Sequence, residues 1–309
     1  MIVRTVTLEG FADLPRPTLT WVIHHMIPKP GTILLVGKPK AGKSFLALQI
    51  ALAVAHGDDW IGSKTEAGPV FYLQLDTSET VWRDRLWKLR ECGTDVTGPI
   101  FLVHPDDTPS HMNILEEDTQ AWLREALRQI KPQLVIVDVV RKLHDMDEND
   151  STAMKRVGNI IAEIFRGLSV LLIHHSKKLN KQDPDLDLAQ IGRGSSYMMG
   201  DVDAIWFLHG GKLKMQNRWD EPITYAASQN ENGLWTFDEE VELRILGQRL
   251  VTLCDEFPDL THNKIAAIAK ERFNISRPTY YRYLAGRVCS HLTKRGGGSV
   301  PPSAKIECS

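Results

Sequence analysis

"LLVGKPKAGKSFLALQIALAVA", residues 34–55, decides the fold. It opens on an apolar run, breaks at Gly37 and Gly42, and continues with apolar residues at helical spacing. Gly37, Gly42, Lys43 and Ser44 satisfy GxxxxGK[ST], with Lys38, Pro39, Lys40 and Ala41 between the glycines. A strand before this pattern and a helix after it form the context in which it cradles phosphate. The glycines let backbone N–H groups curl around an anion, and the helix N-terminus adds its positive end. Lys43 then reaches the terminal phosphates and Ser44 ligates Mg²⁺, so residues 37–44 are expected to bind ATP with Mg²⁺.

Working outward, β-branched and apolar runs recur at 32–37, 69–75, 99–103, 133–138, 169–175 and 203–208. Helices fit between them at 43–56, 79–92, 115–130 and 151–166. Near-continuous apolar strands alternating with amphipathic helices predict an α/β fold with a mainly parallel sheet covered on both faces. After about residue 209 the pattern changes to a hairpin, "PITYAAS" and "LWTFD" around the turn "NENG". The expected organisation is an ATPase core over 1–238 with a short N-terminal lead-in, a helical module over 239–295, and a disordered tail over 296–309.

The 309 residues carry 37 Lys+Arg against 39 Asp+Glu, a net charge of −2, so the whole chain is not a general polyanion binder. The four cysteines, Cys92, Cys254, Cys289 and Cys308, are scattered without metal-ligand spacing, and read as reduced thiols. The N-terminus has acids where a leader would be apolar, and no stretch reaches the ~20 apolar residues of a membrane span. The expectation is a cytoplasmic protein with no membrane partner.

Three strand ends supply further chemistry. "LVIVD" ends in Asp138, where a carboxylate can orient a Mg²⁺-bound water. "FYLQLDTSE" places Asp76 at another strand end, able to polarise water attacking the γ-phosphate, although "DTSE" also reads as a helix cap. "LLIHHSKK" ends in His174 and His175, followed by Lys177 and Lys178. One imidazole there can sense the γ-phosphate and the lysines can couple it to DNA; His174 is taken as the catalytic sensor beside Asp76 and Lys43, a buried core histidine being the alternative.

These stretches, with "WVIHHMIPKPG", "GDDWIG" and "GRGSSYMMGDVDAIWFL", resemble the RepA-like, AAA-type branch of RecA-fold hexameric helicases and ATPases, related to the DnaB-type replicative helicases. The resemblance spans roughly residues 20–235 in order. It implies a RecA-like core, ATP hydrolysis at subunit interfaces, a homo-oligomeric ring (hexamer) or filament, and single-stranded DNA in the central path. By the same resemblance Asp138 is the metal-side acid, Arg141 matches a frequent arginine, and Arg193 lies in a loop toward nucleotide, DNA or the neighbouring subunit. Two positions depart from the family: Asp76 stands where Glu is usual, and "AASQNENG" offers Ser228 and Asn230 where helicase relatives carry a basic pair. Arg193 or Arg218 would then supply the finger, or the protein is not a processive motor.

"LTHNKIAAIAKERFNISRPTYYRYLAG" reads as a helix-turn-helix, with the winged-helix variant left open. Thr261 caps its first helix, whose inward face includes Ile265, Ile268 and Ala269, and the second helix presents Arg277, Thr279, Tyr280 and Arg282 to DNA. Residues 262–295 hold eight basic residues and one acid, a local +7 that leaves −9 elsewhere. A unit for protein contacts is the alternative. The sequence thus points to an ATP-hydrolysing replication helicase or translocase on single-stranded DNA. A recombination or strand-annealing ATPase and an ATP-switched initiation or regulatory protein are the competing readings.

Overall fold

The computed structural model describes residues 6–15, 19–108, 112–147, 150–175, 202–239, 250, 252–273, 275, 277, 280 and 281. Nine described strands form one sheet: β3 (Gly31–Gly37), β4 (Val70–Gln74), β5 (Ile100–Val103), β6 (Leu134–Asp138), β7 (Ser169–His175), β8 (Ala204–His209), β9 (Lys212–Asn217), β10 (Ile223–Gln229) and β11 (Trp235–Glu239). Their order is β11-β10-β9-β8-β3-β7-β6-β4-β5. From β8 to β5 every neighbouring pair is parallel; from β8 to β11 every pair is antiparallel. A separate hairpin, β1 (Thr20–Ile23) with β2 (Ile27–Lys29), precedes the sheet.

The continuous apolar runs in the middle strands follow from burial on both faces. Leu34, Leu35, Val135 and Ile136 are all fully buried, with alternate residues entering opposite cores. One core packs β3, β4 and the late strands against α2 (Lys43–His56) and α3 (Glu79–Glu91). The other packs the opposite face against α4 (Glu117–Ile130) and α5 (Ser151–Ile164). Because the six parallel strands share one direction, β3, β4, β6 and β7 deliver their C-terminal residues to one edge.

The predicted strands and helices all form, with ends displaced by one or two residues. The strand β9 and the β1–β2 hairpin were not anticipated. β9 follows a two-residue turn, Gly210-Gly211, in which both residues have positive φ, as the twist of a tight hairpin demands.

The C-terminal region has a small core of its own. α6 (His262–Phe273) buries Ile265, Ala266 and Ala269, which cluster with Leu250, Leu253, Cys254, Ile275 and Tyr280. Ile268, expected on the inward face, is only partly buried against that cluster. The turn residues Ser276 and Pro278 and the tail 296–309 lie outside the described residues.

The β10–β11 turn is seated on α2: a methyl group at Gly233, whose φ is +88°, would meet the Phe45 ring at 2.3 Å. Gly233→Ala therefore adds both backbone strain and a clash. It is expected to lower stability by about 2 kcal/mol, read as a lower urea midpoint at unchanged slope.

Candidate nucleotide site

The loop after β3 is shaped by its glycines and its neighbours. Gly42 caps α2 with φ +80°, and a Cβ there would meet the Trp235 ring at 2.6 Å. Trp235 donates its indole N–H to the Gly42 carbonyl at 3.1 Å, and its backbone exchanges two hydrogen bonds with the Gln49 amide at 3.0 Å each. The late hairpin thus braces the phosphate loop and the first turns of α2. A Cβ on Gly37 would meet the Leu208 carbonyl at 2.7 Å, so the start of the loop is also held close to β8.

Lys43 is 4% exposed. Its ammonium donates to the carbonyls of Gly37 and Lys38 at 2.9 and 2.8 Å, and lies 3.0 Å from His175 Nδ1. Burial pulls its pKa down to about 8, against the opposing pull of the Asp138 and Asp76 carboxylates.

Asp138 ends β6 at 1% exposure, and Tyr72 on β4 donates its hydroxyl to Oδ2 at 2.9 Å. Burial pushes the Asp138 carboxyl upward, opposed by hydrogen bonds from Ser44 and Tyr72 and by Lys43. Burial and the neighbouring Asp138 carboxylate likewise raise the Tyr72 phenol well above its ordinary range. Asp138 Oδ1 is buried with no hydrogen-bond partner among the described residues. An anionic oxygen left open beside a serine hydroxyl fits Mg²⁺, a hard cation that prefers oxygen and retains waters. Ser44 and Asp138 are therefore the residues able to hold it.

Asp76 lies just beyond β4, its side chain 41% exposed. Its Oδ2 is 3.8 Å from His175 Nε2 and its Oδ1 is 3.8 Å from Lys142 Nζ. It does not cap α3: the N-cap residue is Ser78, and no side chain completes a cap bond. Asp76 instead faces the same small space as Lys43 and His175.

His174 needs correcting as the expected sensor. Gly37 and His175 are in register across β3 and β7, and consecutive β7 residues point to opposite faces. His175 therefore reaches Lys43, whereas His174 is 4% exposed on the other face of the sheet. Counting the alternation from Val170 in the α5-facing core assigns His175 to the loop side. Tyr72 and Lys142 were also missed: a tyrosine in an apolar strand reads as core packing, and Lys142 belongs to a short turn.

Among the other expected residues, Arg141 donates to the His144 carbonyl at 2.8 Å. Arg218 lies 3.8 Å from Asp203, at the start of β8 and thus at the edge remote from the loop. Lys177, Lys178, Arg193, Thr279 and Arg282 lie outside the described residues. Arg277 is exposed, its guanidinium 5.7 Å from the Tyr281 ring centre, and both side chains donate to Asn263 Oδ1. Tyr280 is a second correction. It is fully buried, its hydroxyl 2.9 Å from His262 Nδ1 and 3.4 Å from Cys254 Sγ, so it packs the small core instead of facing DNA.

Residues 3–181 match the family described as an AAA domain. Among solved structures, an isolated ATPase domain aligns with a TM-score of 0.50 at 16% identity, over 68% of this chain and 85% of that one. A KaiC-like protein from the hyperthermophilic archaeon Pyrococcus horikoshii OT3 aligns with a TM-score of 0.46 at 13% identity, over 70% and 93%. At 16% identity the likeness to the ATPase domain is one of fold: with the family match, it describes a P-loop NTPase core of RecA-like architecture. No described helix is long and apolar enough to cross a membrane.

The depressed Lys43 pKa gives a signed expectation. Phosphate favours the charged amine, so a site that is largely neutral above about pH 8 takes up a proton when ATP binds. Calorimetry in buffers of different ionisation enthalpy should show uptake of a fraction of a proton at about pH 9 and almost none at about pH 6.5, and Lys43→Ala should abolish the difference.

Proposed function

Because the chain belongs to the AAA-domain family and is an ATP-hydrolysing P-loop NTPase, we propose that it couples hydrolysis to work on DNA, as a RepA-like replication helicase or translocase acting on single strands. The carrying observation is the 3.0 Å contact between Lys43 and His175. It joins the phosphate loop to the end of β7, and the chain beyond β7 carries Lys177, Lys178 and Arg193.

In this reading Lys43 exchanges the carbonyls of Gly37 and Lys38 for the terminal phosphates of ATP, while the backbone N–H groups of residues 38–44 hold the remaining oxygens. Bound at Ser44 and Asp138, Mg²⁺ supplies charge neutralisation on the phosphates. Asp76 orients and polarises the attacking water. His175, released from Lys43, donates to the γ-phosphate and registers its loss along β7. Protomers assemble as a homo-oligomeric ring or filament, and the module over 239–295 adds a DNA contact through Arg277 and Arg282.

One observation favours the ATP-switch reading instead. Where helicase relatives place a basic pair, Ser228 bonds Thr236 across the hairpin at 2.7 Å, and Asn230 Oδ1 accepts the N–H groups of Asn232 and Leu234. These side chains serve the turn itself, and the turn rests on the chain's own α2.

The two readings separate in ATPase rates measured with no DNA, single-stranded DNA and duplex DNA, with Lys43→Ala as background. The motor reading expects stimulation by single strands, and a loss of roughly 100-fold in His175→Ala and Asp76→Asn with ATP binding retained. Hydrolysis indifferent to DNA, together with sequence-specific duplex binding that survives Lys43→Ala, overturns the motor and leaves the switch. The longer Asp76→Glu is expected to raise the single-turnover rate.

A further inference from the structure

We propose that Gln74 is a positioning residue of the hydrolytic site, whose amide holds a water of the metal's hydration shell against Asp138; this rests on the ATPase reading above. Tyr72, Gln74 and Asp76 alternate along β4 and its extension, so they share one face. Tyr72 identifies that face as the one turned to the phosphate loop, since its hydroxyl reaches Asp138 and, at 3.4 Å, the Ser44 carbonyl. Leu73 and Leu75 enter the opposite core.

Gln74 is fully buried and stands in register with Asp138 on the adjacent strand. Neither its Oε1 nor its Nε2 has a hydrogen-bond partner among the described residues, and the same holds for Asp138 Oδ1. Unmatched polar atoms therefore meet at one register pair, at the edge where the phosphate loop lies. A buried amide left unmatched lowers stability, whereas an apolar side chain of similar volume would not. Such a breach of packing rules belongs where a ligand completes the site.

The chemistry selects the ligand. A water on a divalent cation turns its oxygen to the ion and must direct both hydrogens to acceptors. Tyr72 already occupies Asp138 Oδ2, which leaves Oδ1 for one hydrogen, and Gln74 Oε1 suits the other. The Gln74 N–H₂ group remains to donate to a neighbouring water or phosphate oxygen. Gln74 thus acts through water, and its substitution should alter how strongly Mg²⁺ supports nucleotide binding while packing is kept.

The test titrates a non-hydrolysable ATP analogue into the parent, Gln74→Met and Gln74→Leu, each with Mg²⁺ and with EDTA, beside thermal melts of the free proteins. The proposal expects melting temperatures equal to or above the parent's. It also expects the factor by which Mg²⁺ tightens the analogue to fall roughly tenfold in both variants. Variants that melt lower or fail to fold, or that retain the full Mg²⁺ effect, make Gln74 structural and overturn the proposal while the ATPase reading stands. A parent that binds no analogue overturns both.

Discussion

The ammonium of Lys43 is the group around which the site is organised. It is nearly sealed from water, and it stands in the first turn of α2, where the helix dipole presents its own positive end. Two carbonyls and one imidazole nitrogen partly offset that arrangement. Its depressed pKa is the measure of what they leave uncompensated. A polyphosphate answers the need, so the folded chain is prepared for an anion before one arrives.

Everything that must reach this amine comes from parallel strand ends. The registers Gly37 with His175 and Gln74 with Asp138 bring four strands to one edge, and burial on both faces fixes those registers. The antiparallel extension then folds back, and Trp235 and Gly233 press the late hairpin onto the loop and α2. The same hairpin that would reach a neighbouring subunit in a ring is here tied to its own nucleotide site. Loop conformation and hairpin position are therefore coupled, which links nucleotide state to a surface element in either functional reading.

The phosphate loop, the parallel strands and Asp138 were legible because each rests on local chemistry: glycines at fixed spacing, long apolar runs, an acid at a strand tip. The choice between His174 and His175 was not, because adjacent residues at a strand end differ only in face, and the face is set by register with β3. Tyr72 was hidden for a related reason, its hydroxyl being silent until β6 lies beside β4. Tyr280 misled because a tyrosine on a basic amphipathic helix suits a DNA groove as well as a core, and only the partners His262 and Cys254 decide between them. Gly210-Gly211 did mark the β8–β9 turn, but β9 alternates polar and apolar residues too weakly to be read without its partner strands.

The central claim is that His175 is the group that exchanges Lys43 for nucleotide. Nitrogen-15 NMR of the His175 ring tests it most directly, in the free protein and with a non-hydrolysable ATP analogue and Mg²⁺. The account predicts a neutral ring in the free protein whose Nδ1 accepts from Lys43, and a large Nδ1 shift when the analogue saturates the site. An Nδ1 resonance unchanged at saturation, with binding still dependent on Lys43, would contradict it.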